Sequence, residues 1–491
     1  MYKMNISITS QSNGKDPAST LGFTDDQQSA YNSLIEFIDK PYNENDCKRA
    51  LAGPAGTGKT YLIKALIKNC NLAYSQIGLA APTHKACRVL QESIGISNVK
   101  TNTLQSDLGL RLNFDVEKFD INNPPFDPKG RIKLGDYKVY IVDEASMINR
   151  GLCLFLEKTC RTNKCKLIYI GDASQLAPVG EKYSPAFRAI KCNSLEQIVR
   201  QEDDNPIREL LDLLRFDIAH KTFTFLNHIA QNKQCFDEFG TKGYKVCNNE
   251  EFNDIMITNF SDEAITKNVD FVKVIGYTNM AVSAWNKFIR NTTIEDSDKS
   301  VITKNDLIIS YTTIVNQFNE IVIANSEEYI LQDVVNYVHP TYELKGFLVR
   351  FIAIHGGKVT SPLFVLDHSD SFTIAKYCQI SNALVSAAKS SSVKLRAQKW
   401  REFYTFRESC LLLTNIANNQ GKIIYPRDLD YGFALTAHKS QGSTFDTTLV
   451  DVNDIVYNKY GQPYTDAEEI NRRLYVACSR CKNKLYLRFG K

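Results

Sequence analysis

The chain has no apolar run long enough to cross a membrane and no stretch that resembles a secretory signal. A membrane-spanning helix needs about 18 or more consecutive apolar residues, and the 491-residue sequence contains no such run. We therefore expect a soluble, intracellular protein with no membrane partner.

A disulfide framework and a zinc site also lack support in the sequence. The 13 cysteines are scattered and odd in number, which favours a reduced setting. Cys478 and Cys481 form a C-x-x-C pair, but no second Cys or His pair lies at zinc spacing. An incidental pair is therefore favoured over a metal or redox site.

The sequence also lacks a large excess of positive or negative charge. The 59 basic and 55 acidic residues leave a formal net charge of +4. This excess is too small to identify a nucleic-acid-binding protein, so any basic groove must come from the local arrangement of residues. The length indicates several domains, and a hydrophobic fraction of 43% is ordinary for a globular protein.

A phosphate-binding loop stands out against this ordinary composition. Residues 53–60 match G-x-x-x-x-G-K-[ST], with a short strand pattern before them and a helix pattern after them. Lys59 is expected to reach the β and γ phosphates of ATP, and Thr60 to bind Mg²⁺. The predicted nucleotide contacts are Gly53, Pro54, Ala55, Gly56, Thr57, Gly58, Lys59 and Thr60. The alternative is a chance glycine-rich turn, which would not require this strand and helix.

Acidic and amide side chains follow two further strand patterns. Asp143 and Glu144 come after the apolar residues 138–142, and Gln175 follows those at 166–170. Asp143 suits the metal, Glu144 suits the attacking water, and Gln175 can sense the γ-phosphate. The alternative for Gln175 and its neighbour Asp172 is a turn in which each bonds its own backbone.

The order of these patterns predicts an α/β protein with two parallel-sheet domains. Residues 1–22 are expected to form a flexible extension and 23–215 the first domain, in which 107–135 is a small hairpin insertion. The second domain is expected to begin within 216–300, after a linker, and to end with 429–491. Between them, 301–428 predicts a β-rich insertion, in which 389–409 forms a basic helical arm.

Six motifs in this order resemble those of superfamily 1 helicases. They are residues 53–60, 81–86, 143–146, 171–179, 436–442 and 475–480. Within the superfamily the chain is similar to the RecD-like 5′-to-3′ group, and most of all to its Dda-type members. The resemblance implies two RecA-like motor domains, an SH3-like insertion in the second, and ATP and Mg²⁺ as cofactors. It also implies a location in the cytoplasm, or in a host cytoplasm if the protein is phage-encoded.

The resemblance assigns further nucleotide contacts. Gln27 matches the residue that reads adenine, although Thr24 beside it also suits a helix N-cap. Arg200 and Arg480 match arginines that contact the γ-phosphate from the first and second domains, with surface ion pairs as the alternative. Gln441 and Gly442 are placed either at the nucleotide or at the junction that reports its state.

DNA contacts also follow from the resemblance. The positions matched are Thr83, His84, Thr103, Thr278, Asn279, Thr436, His438 and Lys439. Their side chains can bond phosphate oxygens without reading sequence, although the histidines also suit ordinary packed positions. The hairpin is expected to separate strands with an aromatic tip, Phe119 or Phe114. Rings that pin the hairpin to the core are the alternative.

The predicted function is therefore an ATP-dependent DNA helicase that acts as a monomer on single-stranded and forked duplex DNA. Replication or recombination proteins stay open as further partners. A DNA-stimulated switch ATPase that remodels protein–DNA complexes, and an ATPase that acts on RNA, are the alternatives.

Overall fold

The computed structural model describes residues 22–111, 119–127, 130–178, 180–188, 190–197, 205–316, 320–353, 357–418 and 420–490. The chain divides into two compact units, Met1–Asp203 and Asp204–Lys491. Among the described residues, no helix is long and apolar enough to span a membrane.

The first unit is built on a parallel sheet covered by helices. Its strands are β1 (Lys48–Ala52), β2 (Ile77–Ala81), β3 (Thr101–Thr103), β4 (Val139–Val142), β5 (Lys166–Gly171) and β6 (Cys192–Ser194). Its helices are α1 (Asp25–Asp39), α2 (Lys59–Asn69), α3 (His84–Ile94), α4 (Leu104–Asp107) and α5 (Arg150–Thr162). The described strands pair in the order β3-β2-β4-β5-β1-β6, and every pairing is parallel.

Both faces of this sheet are buried at its central strands β2, β4 and β5, which explains why these strands are mostly apolar. Along β4, Ile141 packs in one core layer with α1 and α2. Its neighbours Tyr140 and Val142 pack in the other layer with α5. The strands predicted around residues 138–142 and 166–170 are confirmed as β4 and β5.

The hairpin insertion is held to the first unit by Phe119. This ring is 5% exposed and lies 5.3 Å from the ring of Phe155 on α5. Its backbone carbonyl accepts a hydrogen bond from Asn149 Nδ2 at 3.2 Å. The prediction of Phe119 as an exposed tip is therefore corrected, because the ring lies in the core and pins the insertion. Phe114 lies outside the described residues.

The described strands of the second unit form a six-stranded sheet, a five-stranded sheet and two two-stranded sheets. Its strands are β7 (Gln234–Phe236), β8 (Gly243–Cys247), β9 (Val272–Gly276), β10 (Leu307–Ser310), β11 (Ile314–Val315), β12 (Ile321–Ile323), β13 (Glu328–Val338), β14 (Lys345–Ala353), β15 (Leu363–Leu366), β16 (Ile416–Ala417), β17 (Ile423–Tyr425), β18 (Leu429–Tyr431), β19 (Ala434–Thr436), β20 (Phe445–Asp451) and β21 (Cys481–Arg488). Its helices are α6 (Ile207–His220), α7 (Thr224–Gln231), α8 (Asn249–Phe260), α9 (Ala264–Lys267), α10 (Asn279–Thr293), α11 (Ser371–Ser390), α12 (Val393–Ser409), α13 (Val452–Val456) and α14 (Ala467–Cys478). The two-stranded sheets are β11-β12 and β16-β17.

The larger sheet repeats the architecture of the first unit. Its described strands follow the order β19-β9-β20-β21-β8-β7, and all pairings except that of β7 are parallel. Helix α6 packs against α14 and belongs to this unit. The division near residue 203 therefore lies earlier than the boundary predicted at 215.

The β-rich insertion is an antiparallel sheet of β15, β14, β13, β10 and β18, in that order. Two helices, α11 and α12, lie between β15 and β16. The sequence predicted a single helical arm there, over residues 389–409. Helix α11 was missed because its buried stripe is Thr373, Tyr377, Ser381 and Ala388. Thr373 and Ser381 are small polar residues, so apolar periodicity did not reveal the helix. Helix α12 buries Phe406 and no other described residue.

Candidate nucleotide and DNA sites

The glycine-rich loop joins the end of β1 to the start of α2. Gly56 and Gly58 have φ angles of +87° and +76°, which L side chains rarely adopt. A Cβ on Gly58 would lie 2.4 Å from Nε2 of Gln27, and one on Gly53 would lie 2.8 Å from the Leu195 carbonyl. Glycine is thus required by conformation and by space, and the N-terminus of α2 opens onto the loop, where it favours an anion.

Lys59 lies within this loop. Its Nζ donates hydrogen bonds to the carbonyl oxygens of Gly53 at 2.6 Å and Pro54 at 2.8 Å. These neutral acceptors hold the ammonium group where phosphates would compete for it with a stronger, charge-assisted bond. Thr60 lies in the first turn of α2. The residues present therefore fit a nucleoside triphosphate and its Mg²⁺.

The carboxylates predicted for catalysis follow β4 directly. The Asp143 amide donates to the Ala80 carbonyl at 2.8 Å, which continues the pairing of β4 with β2. Burial raises the pKa of the Asp143 carboxyl, against the lowering effects of the Glu144 backbone amide and the Lys59 charge. Glu144 has a φ of +50°, a conformation that costs about 1–3 kcal/mol and is concentrated at functional sites.

Gln175 and Asp172 form a buried turn after β5. Asp172 is 3% exposed and Gln175 7%. The Asp172 carboxylate accepts from the Ser174 amide at 2.8 Å, and its carbonyl accepts from the Gln175 amide at 3.2 Å. The turn proposed as the alternative is therefore present. The role of Gln175 in sensing the nucleotide stays a prediction.

Gln27 connects the start of α1 to the glycine-rich loop. Its Oε1 accepts from the Thr24 amide at 3.1 Å, and its Nε2 donates to the Thr57 carbonyl at 2.9 Å. Thr24 is the N-cap of α1, as the alternative interpretation held, and the two residues form a capping box. Gln27 is buried, so contact with adenine would require a change of partner or use of its second N–H.

Asp26 has a role that the sequence did not reveal. One of its carboxylate oxygens accepts the backbone amides of Glu196 at 2.7 Å and Gln197 at 2.9 Å. The pKa of this carboxyl is lowered, since these and neighbouring hydrogen bonds outweigh the raising effect of partial burial. Asp26 therefore fixes the segment that precedes Arg200 in sequence. Arg200 itself lies outside the described residues.

Arg480 lies in the second unit beside the turn that contains Gln441 and Gly442. It is 5% exposed, and its Nε donates to the Val476 carbonyl at 3.1 Å. Its Nη1 donates to the Ser443 carbonyl at 3.2 Å. Gly442 has a φ of +73°. The structure thus brings Arg480 together with residues 441–443, all within one unit.

The threonines predicted to contact DNA share a structural role. Thr83 and Thr278 lie two residues after β2 and β9, and their hydroxyls cap α3 and α10. Thr103 and Thr436 end β3 and β19, and their hydroxyls accept amides three residues later. All four therefore lie at the carboxyl ends of neighbouring strands, where parallel α/β sheets bind ligands.

The remaining predicted DNA contacts differ in their surroundings. His84 and His438 are half-buried, and Asn279 is exposed. Burial, with the nearby Arg473 charge, lowers the pKa of His438. Lys439 Nζ lies 4.5 Å from the ring centre of Tyr311 and donates to Ser326 Oγ at 2.9 Å.

The C-x-x-C pair does not have the properties of a reactive site. Burial raises the pKa of the Cys478 thiol, and it raises that of Cys481 to about 12. Both thiols therefore stay protonated near neutral pH, which opposes metal binding and redox chemistry. In the part of the chain that the structure describes, no group of His, Cys, Asp and Glu is arranged to hold a metal.

Comparisons with known proteins agree with this arrangement. A protein-family profile described as an AAA domain matches residues 27–231. The ATP-dependent DNA helicase dda of Enterobacteria phage T4 is 29% identical over 57% of this chain and 59% of its own length. The ATP-dependent RecD2 DNA helicase of Deinococcus radiodurans is 30% identical over 32% of this chain, but over 20% of its own length.

Two further proteins match nearly the whole chain. Protein R530 of Acanthamoeba polyphaga mimivirus, which is uncharacterized, is 24% identical over 94% of this chain and 99% of its own. The crystal structure of the Pif1 helicase from Candida albicans covers 95% of both chains at 15% identity, with a TM-score of 0.47.

The glycine-rich loop and the two similar sheets define the class as an α/β protein with a P-loop nucleotide-binding domain. The chain is similar to superfamily 1 DNA helicases of the group that includes Dda and RecD2.

Proposed function

We propose that this protein translocates on single-stranded DNA in the 5′-to-3′ direction and couples ATP hydrolysis to duplex unwinding. One observation carries the proposal. The first sheet presents Lys59 after β1 and Asp143 and Glu144 after β4, and the capping threonines lie at the carboxyl ends of β2 and β3 in the same sheet. Nucleotide chemistry and a strand-binding edge are thereby joined in one sheet.

In the proposed mechanism, Lys59 leaves the carbonyls of Gly53 and Pro54 to bind the β and γ phosphates. Asp143 and Thr60 would hold Mg²⁺, which would supply neutralising charge at the phosphates. Glu144 orients and deprotonates the attacking water, and Gln175 reports the γ-phosphate. These side chains follow adjacent strands, so a change at the phosphates is transmitted directly to the sheet edge.

Two arginines complete the proposed nucleotide site. Arg200 would contact the γ-phosphate from the first domain and Arg480 from the second, so that hydrolysis depends on closure of the two domains. Arg480 would then exchange the Ser443 carbonyl for phosphate oxygens. Because that carbonyl follows Gln441 and Gly442, the exchange would move the turn that leads back to Thr436.

Single-stranded DNA is the proposed substrate, with forked duplex DNA as the structure to be separated. Thr83, His84 and Thr103 would hold the backbone on the first domain. Thr278, Asn279, Thr436, His438 and Lys439 would do so on the second. Alternate release by the two domains as the nucleotide site opens and closes would move the enzyme along the strand.

The test is ATP turnover with and without poly-dT, followed by unwinding of forks with a single-stranded tail of each polarity. We expect strong stimulation by DNA and unwinding of the fork with a 5′ tail. Stimulation without unwinding on either fork would instead favour the DNA-stimulated switch ATPase. Equal or greater stimulation by RNA would contradict DNA as the substrate.

A further inference from the structure

Two tyrosines and an arginine are stacked at the carboxyl end of β9. Tyr277 follows this strand directly, Tyr464 precedes α14, and Arg473 lies on that helix. The Arg473 guanidinium carbon is 3.6 Å from the ring centre of Tyr277 and 4.8 Å from that of Tyr464. The two rings meet edge to face at 5.8 Å. The cluster therefore brings together side chains from three separate segments.

This cluster is not part of the apolar core. None of the core clusters among the described residues contains Tyr277, Tyr464 or Arg473, and both tyrosines are half-buried. The Tyr277 backbone is nevertheless fixed, because the Asp454 carboxylate accepts its amide at 2.6 Å and that of Thr278 at 2.8 Å. Tyr277 is thus a rigidly held ring at the surface, beside a predicted DNA contact.

Arg473 is held beneath this ring at a cost. It is 4% exposed, and it forms an ion pair with Glu469 through Nη2. Its Nε and Nη1 are buried without a hydrogen-bond partner among the described residues. Buried donors without acceptors are unfavourable, and contact with aromatic faces offsets this in part. Packing alone would be achieved at lower cost by an apolar side chain, so the arrangement indicates a function for the ring it supports.

His438 adds a polar group beside the cluster. Its ring centre lies 6.3 Å from that of Tyr277, and no described residue hydrogen-bonds the imidazole. Since the pKa of His438 is lowered, the imidazole is neutral near neutral pH and can donate one hydrogen bond. Aromatic faces next to phosphate-binding groups are the combination that holds single strands without reading their sequence.

We propose that Tyr277 is a stacking platform for one base of single-stranded DNA and that Arg473 is a positioning residue that holds the ring in place. This inference rests on the proposed function, because it assigns a base subsite to the second domain's strand-binding edge. Tyr464 completes the support, because its ring meets Tyr277 edge to face and also lies against the guanidinium.

The test uses a series of dT oligonucleotides, each with one abasic site at a different position, and measures their affinity for the full chain without nucleotide. With wild type, one position should weaken binding by about 5-fold to 150-fold, since a base loses its stack there. Tyr277→Ala should bind the intact strand more weakly by a similar factor and should show no penalty at that position. Tyr277→Phe should retain the wild-type pattern. This result would show that the ring, and not the hydroxyl, is responsible for the position-specific penalty.

Arg473→Lys tests the positioning role. A lysine keeps the charge but lacks the planar guanidinium that stacks on rings. The position-specific penalty should therefore shrink while the salt dependence of binding stays that of wild type. A general structural effect would instead weaken all oligonucleotides equally, which would overturn the positioning role. Arg472→Lys, on the same helix, and Tyr337→Ala, in the β-rich insertion, are the matched controls and should behave as wild type.

Two results separate failure of the inference from failure of the proposed function. If wild type binds dT and Tyr277→Ala keeps the full abasic penalty, the platform lies elsewhere and the inference is wrong. If wild type binds no DNA, the proposed function itself is wrong.

Discussion

The two six-stranded sheets share the connection order of their first five strands and differ at the sixth, where β6 is parallel and β7 antiparallel. They also differ in the chemistry at their carboxyl ends. In the fifth position, β1 leads into the glycine-rich loop and Lys59. Its counterpart β8 leads into Asn248, which caps α8 in a capping box with Glu251. Glu250 and Glu251 place negative charge in the first turn of α8, where a phosphate would be repelled. The glycine-rich loop therefore has no counterpart at this position of the second sheet, which supports the first domain as the proposed triphosphate site.

The third position shows the same contrast. After β4, Asp143 is available to a metal beside the glycine-rich loop. At the end of β20, Asp451 accepts from Arg488 Nη1 at 2.9 Å and from Trp285 Nε1 at 2.9 Å. A carboxylate is present in both sheets, but in the second it is neutralised within the protein. The capping threonines, by contrast, occur in both sheets, so the proposed DNA contacts are shared by the two domains while the proposed nucleotide contacts of the loop are not.

Of the changes considered, loss of the loop lysine should have the largest effect, because only the first domain has such a loop. In Lys59→Ala, ATP turnover should fall to background because no cation reaches the β and γ phosphates. Steady-state ATPase with poly-dT measures this. Lys68→Ala, at the exposed end of the same helix, should keep wild-type turnover, and residual DNA-stimulated activity in Lys59→Ala would contradict the assignment.

Arg480→Ala tests whether the second domain contributes a residue to the proposed nucleotide site of the first domain. An arginine finger is worth about a thousandfold or more in turnover, so kcat should fall by at least that factor while affinity for dT is kept. Arg472→Ala, two turns earlier on α14, is the control. A kcat within tenfold of wild type would show that Arg480 serves only its bonds to Val476 and Ser443.

Glu144→Gln should separate nucleotide binding from hydrolysis. The amide cannot accept the proton of water, so turnover should fall by about 10²–10⁴-fold, while Asp143 still holds Mg²⁺. Fluorescent ATP-analogue binding and single-turnover hydrolysis measure the two steps. Normal turnover would show that another group acts as the base.

Phe119→Ala tests the pinning role in the first domain's insertion. Loss of a buried ring should lower the free energy of unfolding by about 3–5 kcal/mol, which a thermal melt followed by ATPase assays would detect. Phe126→Ala is the comparison, because that ring is 43% exposed and should cost less. Wild-type stability combined with loss of unwinding alone would restore Phe119 as the wedge.

The smallest effect concerns the β-rich insertion of the second domain. Burial raises the pKa of Asp428 to about 6, although the Arg407 charge acts to lower it. Between the ordinary value of 3.8 and about 6 the folded state binds more protons than the unfolded state, so stability falls as pH rises through this range. Asp428→Asn should make this decline shallower in melts from pH 4 to 7. An unchanged slope would mean that Asp428 does not titrate there.

Local patterns predicted much of the first domain. The glycine-rich loop and the strands around it could be predicted from the sequence, because apolar strands and glycine spacing are properties of short segments. Helix α11 was not readable, since its buried stripe contains hydroxyl groups. The roles of Phe119, Asp26 and Arg473 were not readable either, because each depends on a partner distant in sequence.

By itself, the sequence determined which residue types follow each strand and therefore which chemistry each sheet edge can perform. Tertiary structure alone decided which side chains are already committed to partners. Phe119 is buried, Gln27 is bonded to Thr57, and Arg473 lies beneath Tyr277. The physical reason is that burial and hydrogen bonding depend on contacts between segments, and the spacing of residues along one segment does not specify them.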